Sequence, residues 1–173
     1  MVIADILAPV PQKTLQANIT RYRRLGDPRA VLADLIREGQ LQQQTIEGMT
    51  YVWPPRSRPL REEPPEDPPR VQFLAPFDPV VWDRRRFEHL WGWPYRFEAY
   101  TPPSKRIRGY YAMPLLWGDK VIGWANAQVS GGQLNVEVGF VGKRPREKSF
   151  RSELELEIGR LGTLKTHWNI HDR

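Results

Sequence analysis

Three clusters of cations in the later part of this sequence carry the residue types best suited to holding an anion. They are Arg84-Arg85-Arg86, then Lys105, Arg106 and Arg108 ahead of Tyr110 and Tyr111, then Lys143, Arg144, Arg146 and Lys148 around Pro145. Cations beside aromatic rings can grip a phosphate backbone and stack bases, whereas cations in a flexible loop offer phosphate contact alone. Consecutive residues on a helix diverge by about 100°, so the three arginines cannot all face one row of phosphates. One or two are expected on DNA while another pairs with Asp78, Glu88 or Glu98. The competing expectation is a buried arginine–carboxylate network that knits the domain together. Earlier in the chain, Arg21-Tyr22-Arg23-Arg24 ends a helical pattern. There Arg23 and Arg24 can serve as phosphate contacts or simply complement the helix dipole.

Bond-breaking chemistry has fewer candidates. Asp78, Asp83, Glu88 and Glu98 include residues able to form an acid/base pair for hydrolysis. Both aspartates, however, stand where a helix cap is needed, with Pro79 and the 84–90 segment following them. His167 and His171 have helical metal-ligand spacing, and with no cysteine in the chain the third ligand would have to be a carboxylate such as Asp172. So close to the end of the sequence, fraying is the better expectation, and neither a metal nor a cofactor is expected. No Ser-His-Asp set, phosphate-binding glycine loop or dinucleotide fingerprint occurs.

Charge supports a polyanionic partner. The chain has 173 residues and a net charge of +6. Residues 71–173 hold 16 basic and 11 acidic side chains, against 6 and 5 in residues 1–53, so the excess is concentrated late. The absence of cysteine excludes a disulfide scaffold and thiol catalysis. No apolar run approaches the roughly 20 residues that cross a bilayer, and the first residues lack a secretion signal, so a cytoplasmic protein is expected.

Those residues need elements to position them. Residues 54–70 contain 7 prolines in 17 positions, and proline excludes both helix and central strand. They are expected to form an extended linker between a lobe at 1–53 and a lobe at 71–173. In the first lobe, Leu15, Ile19 and Tyr22 predict one helix. Asp27-Pro28 caps a second helix with Val31, Leu32, Leu35 and Ile36 on its apolar face, and Leu41–Ile46 and Met49–Trp53 predict a hairpin about Glu47-Gly48. Helices followed by a hairpin is the order of a winged helix, whose recognition helix would be 28–38. Its Arg29 and Arg37 are offset by Asp34 and Glu38, which makes it a poor groove reader. In the second lobe, Trp82 and Phe87 match a hydrophobic staple around Asp83. Strands are predicted at Ile107–Leu116, Val121–Val129 and Gln133–Val141, joined at Trp117–Lys120 and Ser130–Gly132. Phe150, Leu154, Ile158 and Leu161 trace a final helix that packs on the sheet.

Residues 71–114 carry a more specific signal. Phe77-Asp78-Pro79, Val81-Trp82-Asp83-Arg84-Arg85-Arg86 and Tyr95-Arg96-Phe97-Glu98-Ala99-Tyr100 are followed by Lys105-Arg106, Gly109-Tyr110-Tyr111 and Pro114. In this ordered run the chain resembles the winged-helix DNA glycosylases that unhook interstrand crosslinks, the YcaQ/AlkZ-like family, and the similarity extends to Gly118-Asp119 and to Asp27–Trp53. The resemblance implies stacked winged helices leading into a β-barrel-like domain, and hydrolysis of the bond to an alkylated base. It covers the family's C-terminal portion only. The family's Gln-x-Gln or Gln-x-Asp motif lies N-terminal to that portion and is expected to be missing. Gln42-Gln43-Gln44 fits the pattern in letters but falls in the expected wing. Relatives also carry Asp-x-Lys-x-Asp where this chain has Asn126-Ala127-Gln128-Val129-Ser130, so three charged positions are neutral.

The sequence thus predicts an α+β protein: a winged helix, a proline-rich linker, and a β-barrel-like antiparallel domain ending in a helix. Its expected role is to hold duplex DNA by phosphate contacts through Arg84, Arg85, Arg86, Lys105, Arg106, Arg108, Tyr110, Lys143, Arg144, Arg23 and Arg24. Asp78, Trp82, Asp83 and Glu98 are expected to be structural. The alternatives are a glycosylase, acting alone or with a separate polypeptide carrying the missing half, and a protein-interaction module.

Overall fold

The computed structural model describes residues 2–55 and 68–167, the side chains of residues 23, 25 and 164–167 excepted. The proline-rich segment and the His167/His171 pair fall largely outside the described residues. The chain divides into two compact units, Met1–Pro65 and Glu66–Arg173.

In the first unit, α1 (Val2–Leu7) leads through a two-residue strand β1 (Val10–Pro11) into α2 (Gln12–Ile19). A 3-10 turn at Thr20–Leu25 follows, kinked at Tyr22. Next comes α3 (Pro28–Arg37), whose N-cap Asp27 accepts a 3.0 Å bond from the Arg29 amide. Strands β2 (Gln42–Ile46) and β3 (Met49–Trp53) form a hairpin in which Ile46 faces Met49. Its two turn residues, Glu47 and Gly48, both have positive φ (47° and 81°). That backbone has the twist a two-residue hairpin needs. Strand β1 pairs with the other side of β3, giving the order β1-β3-β2. Neither α1 nor β1 was foreseen, since six and two residues are too short to show a period. The core consists of Ala4, Val10, Leu15, Leu32, Leu41 and Val52.

The second unit is built on a four-stranded antiparallel sheet, β4 (Val71–Phe73), β5 (Met113–Trp117), β6 (Lys120–Ser130) and β7 (Gln133–Phe140), in that order. The sheet is curled but open, because β4 and β7 do not pair with each other, so a half-barrel replaces the expected β-barrel-like closure. A bulge helps it bend. Leu115 faces Gly123 and Leu116 faces Val121, leaving Ile122 as the extra residue on β6. That slip puts Val121 and Trp124 into the same cluster and Ile122 into the other.

Each cluster occupies one face of the sheet. On one face, α6 (Lys148–His167) contributes Phe150, Leu154 and Ile158 to a core with Val71 and Leu115. On the other, α4 (Pro79–Trp82), α5 (Arg84–Trp91) and the following segment bring Val81, Phe87, Trp93 and Tyr95 onto Val121 and Trp124. Phe87 is fully buried, with its ring centroid 4.7, 5.7 and 5.4 Å from those of Trp91, Trp93 and Tyr95. Trp82 is 42 % exposed, so the expected staple residue is only partly covered.

One strand fails to form as predicted. Residues 107–112 are turn and coil, and β5 starts only at Met113. The cause is a carboxylate eleven residues upstream of Gly109, described next.

Candidate nucleic-acid interface

Glu98 is 5 % exposed, and its Oε2 accepts hydrogen bonds from three consecutive amides: Ile107 (2.9 Å), Arg108 (2.7 Å) and Gly109 (3.2 Å). Amides that converge on one oxygen require a curled backbone, which is incompatible with the alternating directions of a strand. Gly109 makes the curl possible with φ of +111°, a conformation side-chain-bearing residues rarely adopt. The other side of the loop is fixed by Asn126 on β6, whose Nδ2 donates to the Arg108 carbonyl. A Cβ on Gly109 would lie 2.6 Å from that same nitrogen.

Arg108 is therefore held at both backbone groups. Its guanidinium is held as well, 4.9 Å from the ring centroid of Trp93 and 5.8 Å from that of Trp124. Trp124 can lie flat there because Gly139 on β7 is bare, and a Cβ at Gly139 would fall 2.1 Å from the indole. Cation–π contact with two indoles restricts the rotamers of the long side chain while leaving its charge intact. Arg106 is tethered more loosely, with Nε donating to the Thr101 carbonyl at 2.8 Å and the guanidinium 5.0 Å from the Tyr110 ring centroid. Lys105 ends a 3-10 turn (Pro103–Lys105) and points into solvent.

Arg84 and Arg85 are exposed at the start of α5. Arg86 differs from both. It is 6 % exposed, and its guanidinium donates to the Pro79 carbonyl across the α4–α5 junction. The third position of the Asp83-capped turn faces the core, so Arg86 is the one of the three arginines that turns inward, with a backbone carbonyl as its partner where a carboxylate was expected. The acids of this region serve the backbone. Asp78 accepts from Val80 N–H at 2.8 Å, and Asp83 from Arg85 and Arg86 N–H at 3.2 and 3.3 Å. Pairing of an arginine with Asp78 or Glu98, expected from the sequence, gives way to these caps and to the Glu98 clamp.

Tyr95 lies beneath the arginines. Its hydroxyl donates to the Ala112 carbonyl at 2.6 Å. Burial pushes the phenol well above its ordinary ionisation range, Tyr111 adds to that, and the positive charges of Arg84 and Arg108 work against it. The Tyr95 ring packs 5.4 Å from that of Phe87 on α5 while its hydroxyl holds Ala112, which ties α5 to the end of the loop.

The remaining candidates are separate. Lys143, Arg144 and Arg146 are exposed between β7 and α6 and Lys148 is exposed at the start of α6, with Arg144 placed 5.7 Å from the Phe140 ring centroid. In the first unit Arg24 is exposed, the Arg23 side chain lies outside the described residues, and Arg37 pairs with Asp34 at 2.6 Å. Gln42, Gln43 and Gln44 stand on β2, exposed, and Gln42 accepts a 2.8 Å bond from the Trp53 indole. No group of three or more His, Asp or Glu among the described residues could hold a metal ion. None of the described helices is long and apolar enough to cross a membrane. The residue missed from sequence is Asn126. It counted there only as a lost charge, yet it holds the loop through an amide donor that an aspartate lacks.

A mixed helix–sheet protein, with a curled antiparallel sheet carrying a pinned cationic loop among aromatic rings, is the class of molecule these features define. The family model for AlkZ-like DNA glycosylases matches residues 8–164, and the chain belongs to that family. Membership connects it with DNA repair and makes DNA its substrate or partner. No solved structure matches it.

Proposed function

We propose that the chain grips duplex DNA through phosphate contacts, with little sequence preference, and does not break the glycosidic bond unaided. The observation that carries the first half is Arg108. A cation whose amide, carbonyl and guanidinium are all restrained has lost most of its freedom before any ligand arrives, so binding a phosphate costs little further order. Exposed Arg84, Arg85 and Lys105, with Tyr110 at the loop, add to it, and exposed Lys143 and Arg144 offer a second, separate phosphate contact. The second half is supported by the acids. Asp78, Asp83 and Glu98 each accept from backbone amides, and Gln42–Gln44 stand on an exposed strand far from any such acid in sequence.

In this proposal the first unit is a winged helix, with α3 before the β2–β3 wing, and residues 54–70 are a linker between domains at 1–53 and 71–173. The protein would work at the DNA of the bacterial cytoplasm. A second reading, docking of a separate polypeptide, has one observation in its favour. The first unit contains an open apolar cavity of about 350 Å³ lined by Val2, Tyr22, Val31 and Leu35 among others.

Fluorescence anisotropy with labelled duplex at 50 and 200 mM salt tests the DNA contact. Neutralising about four phosphates predicts a loss of affinity of about a hundredfold across that range. R108A is expected to weaken binding about tenfold. Binding that ignores salt, or no binding at all, refutes the proposal. Incubation with alkylated duplex followed by alkaline cleavage tests the rest, and product formed by the pure chain refutes the non-catalytic half.

A further inference from the structure

We propose that Ile107 is a wedge that enters the base stack of duplex DNA at a weakened step, while the arginines on either side of it hold the flanking phosphates. This rests on the DNA-gripping function above and adds a class of substrate: duplex with a mismatch or a gap.

Ile107 is 79 % exposed while both of its neighbours are restrained, Arg106 by the Thr101 carbonyl and Arg108 by two indoles. Its own amide is bound by Glu98, so the backbone beneath the side chain cannot retreat when pressed. A β-branched side chain on such a base has few rotamers and little entropy to lose. Water is a poor environment for a residue so positioned, and solvation alone gives no reason to clamp it there. Charge selects the occupant. The tip is bracketed by Arg106 and Arg108, with Lys105 adjacent, so an apolar point surrounded by cations complements a base stack bordered by phosphates. Tyr110 is 61 % exposed beside Arg106 and offers a face on which a displaced base can stack. Opening a base step costs least where pairing is already broken, so the wedge favours mismatched over intact duplex.

The test measures two duplexes that differ by one central mismatch, each with 2-aminopurine beside it, against wild type, I107A and I107L. Wild type is expected to bind the mismatched duplex about tenfold more tightly and to raise 2-aminopurine emission as the base unstacks. I107A is expected to keep the salt dependence and its affinity for intact duplex within about twofold, and to lose both the preference and the emission rise. I107L, of equal volume, restores part of each. If I107A keeps the mismatch preference, or if wild type binds both duplexes equally with the expected salt dependence, the wedge is refuted while phosphate gripping stands. If wild type binds neither duplex, both proposals fall. Circular dichroism of I107A is expected to match wild type, because the side chain is solvent-exposed.

Discussion

Removing the Glu98 carboxylate isolates what the loop clamp contributes. Three amides donate to one oxygen, and among the described residues no lysine or arginine lies within ion-pair distance of it, so the amides alone offset burial of the charge. A hydrogen bond to a charged group contributes about 1.5–3 kcal/mol, and bonds sharing one acceptor do not add in full. E98Q keeps an acceptor oxygen and loses the charge, for an expected cost of about 1–2 kcal/mol. E98A leaves three amides without their acceptor, at about 3–4 kcal/mol, unless the loop opens locally and caps the global effect. Urea denaturation gives the global figure. Amide exchange of Ile107, Arg108 and Gly109 gives the local one, with protection in wild type, partial protection in E98Q and none in E98A. DNA affinity is expected to follow the same order, because Arg108 loses its base. Unchanged exchange at those three amides in E98A would show that the carboxylate does not organise the loop.

G109A introduces a side chain at φ +111° and against the Asn126 amide, and is expected to destabilise by about 2–3 kcal/mol in urea titration. N126D, which sets a carboxylate against the Arg108 carbonyl, is expected to weaken DNA binding more than N126A does in the anisotropy assay. Tyr95 gives a pH prediction. Its folded-state value lies above that of the unfolded chain, so its contribution to stability is complete below about pH 10 and declines as pH rises beyond that towards the folded value. Y95F is expected to lose about 1 kcal/mol at neutral pH with the Ala112 bond and to flatten the alkaline decline, both read from denaturation at several pH values.

What could be read from sequence was local. Asp27-Pro28, Asp78-Pro79 and Asp83 act within three residues, and all three are N-caps. The Glu47-Gly48 and Gly131-Gly132 turns require positive φ that their own residues supply, and the hairpins form there. The stripe Phe150, Leu154, Ile158 depends only on helical period. What escaped was decided at a distance. Ile107–Leu116 has strand composition, but Glu98 takes its amides and Asn126 a carbonyl. Arg86 looks like its two neighbours until the α4–α5 corner turns it onto Pro79. The core of the candidate site is partly visible in the sequence, since Arg106, Arg108 and Tyr110 set cations beside a ring. Their restraint was not, because it depends on Trp93, Trp124 and the bare Gly139 that admits the indole.

The order β1-β3-β2 leaves β2 on the rim of its sheet, with all five residues exposed. Such a rim invites a strand from a neighbouring molecule, and its adhesiveness is set by what its side chains offer. Gln42, Gln43 and Gln44 keep that rim hydrated but place no charge on it. Replacing them by valine or isoleucine would turn a well-hydrated border into a seed for sheet extension from one molecule to the next.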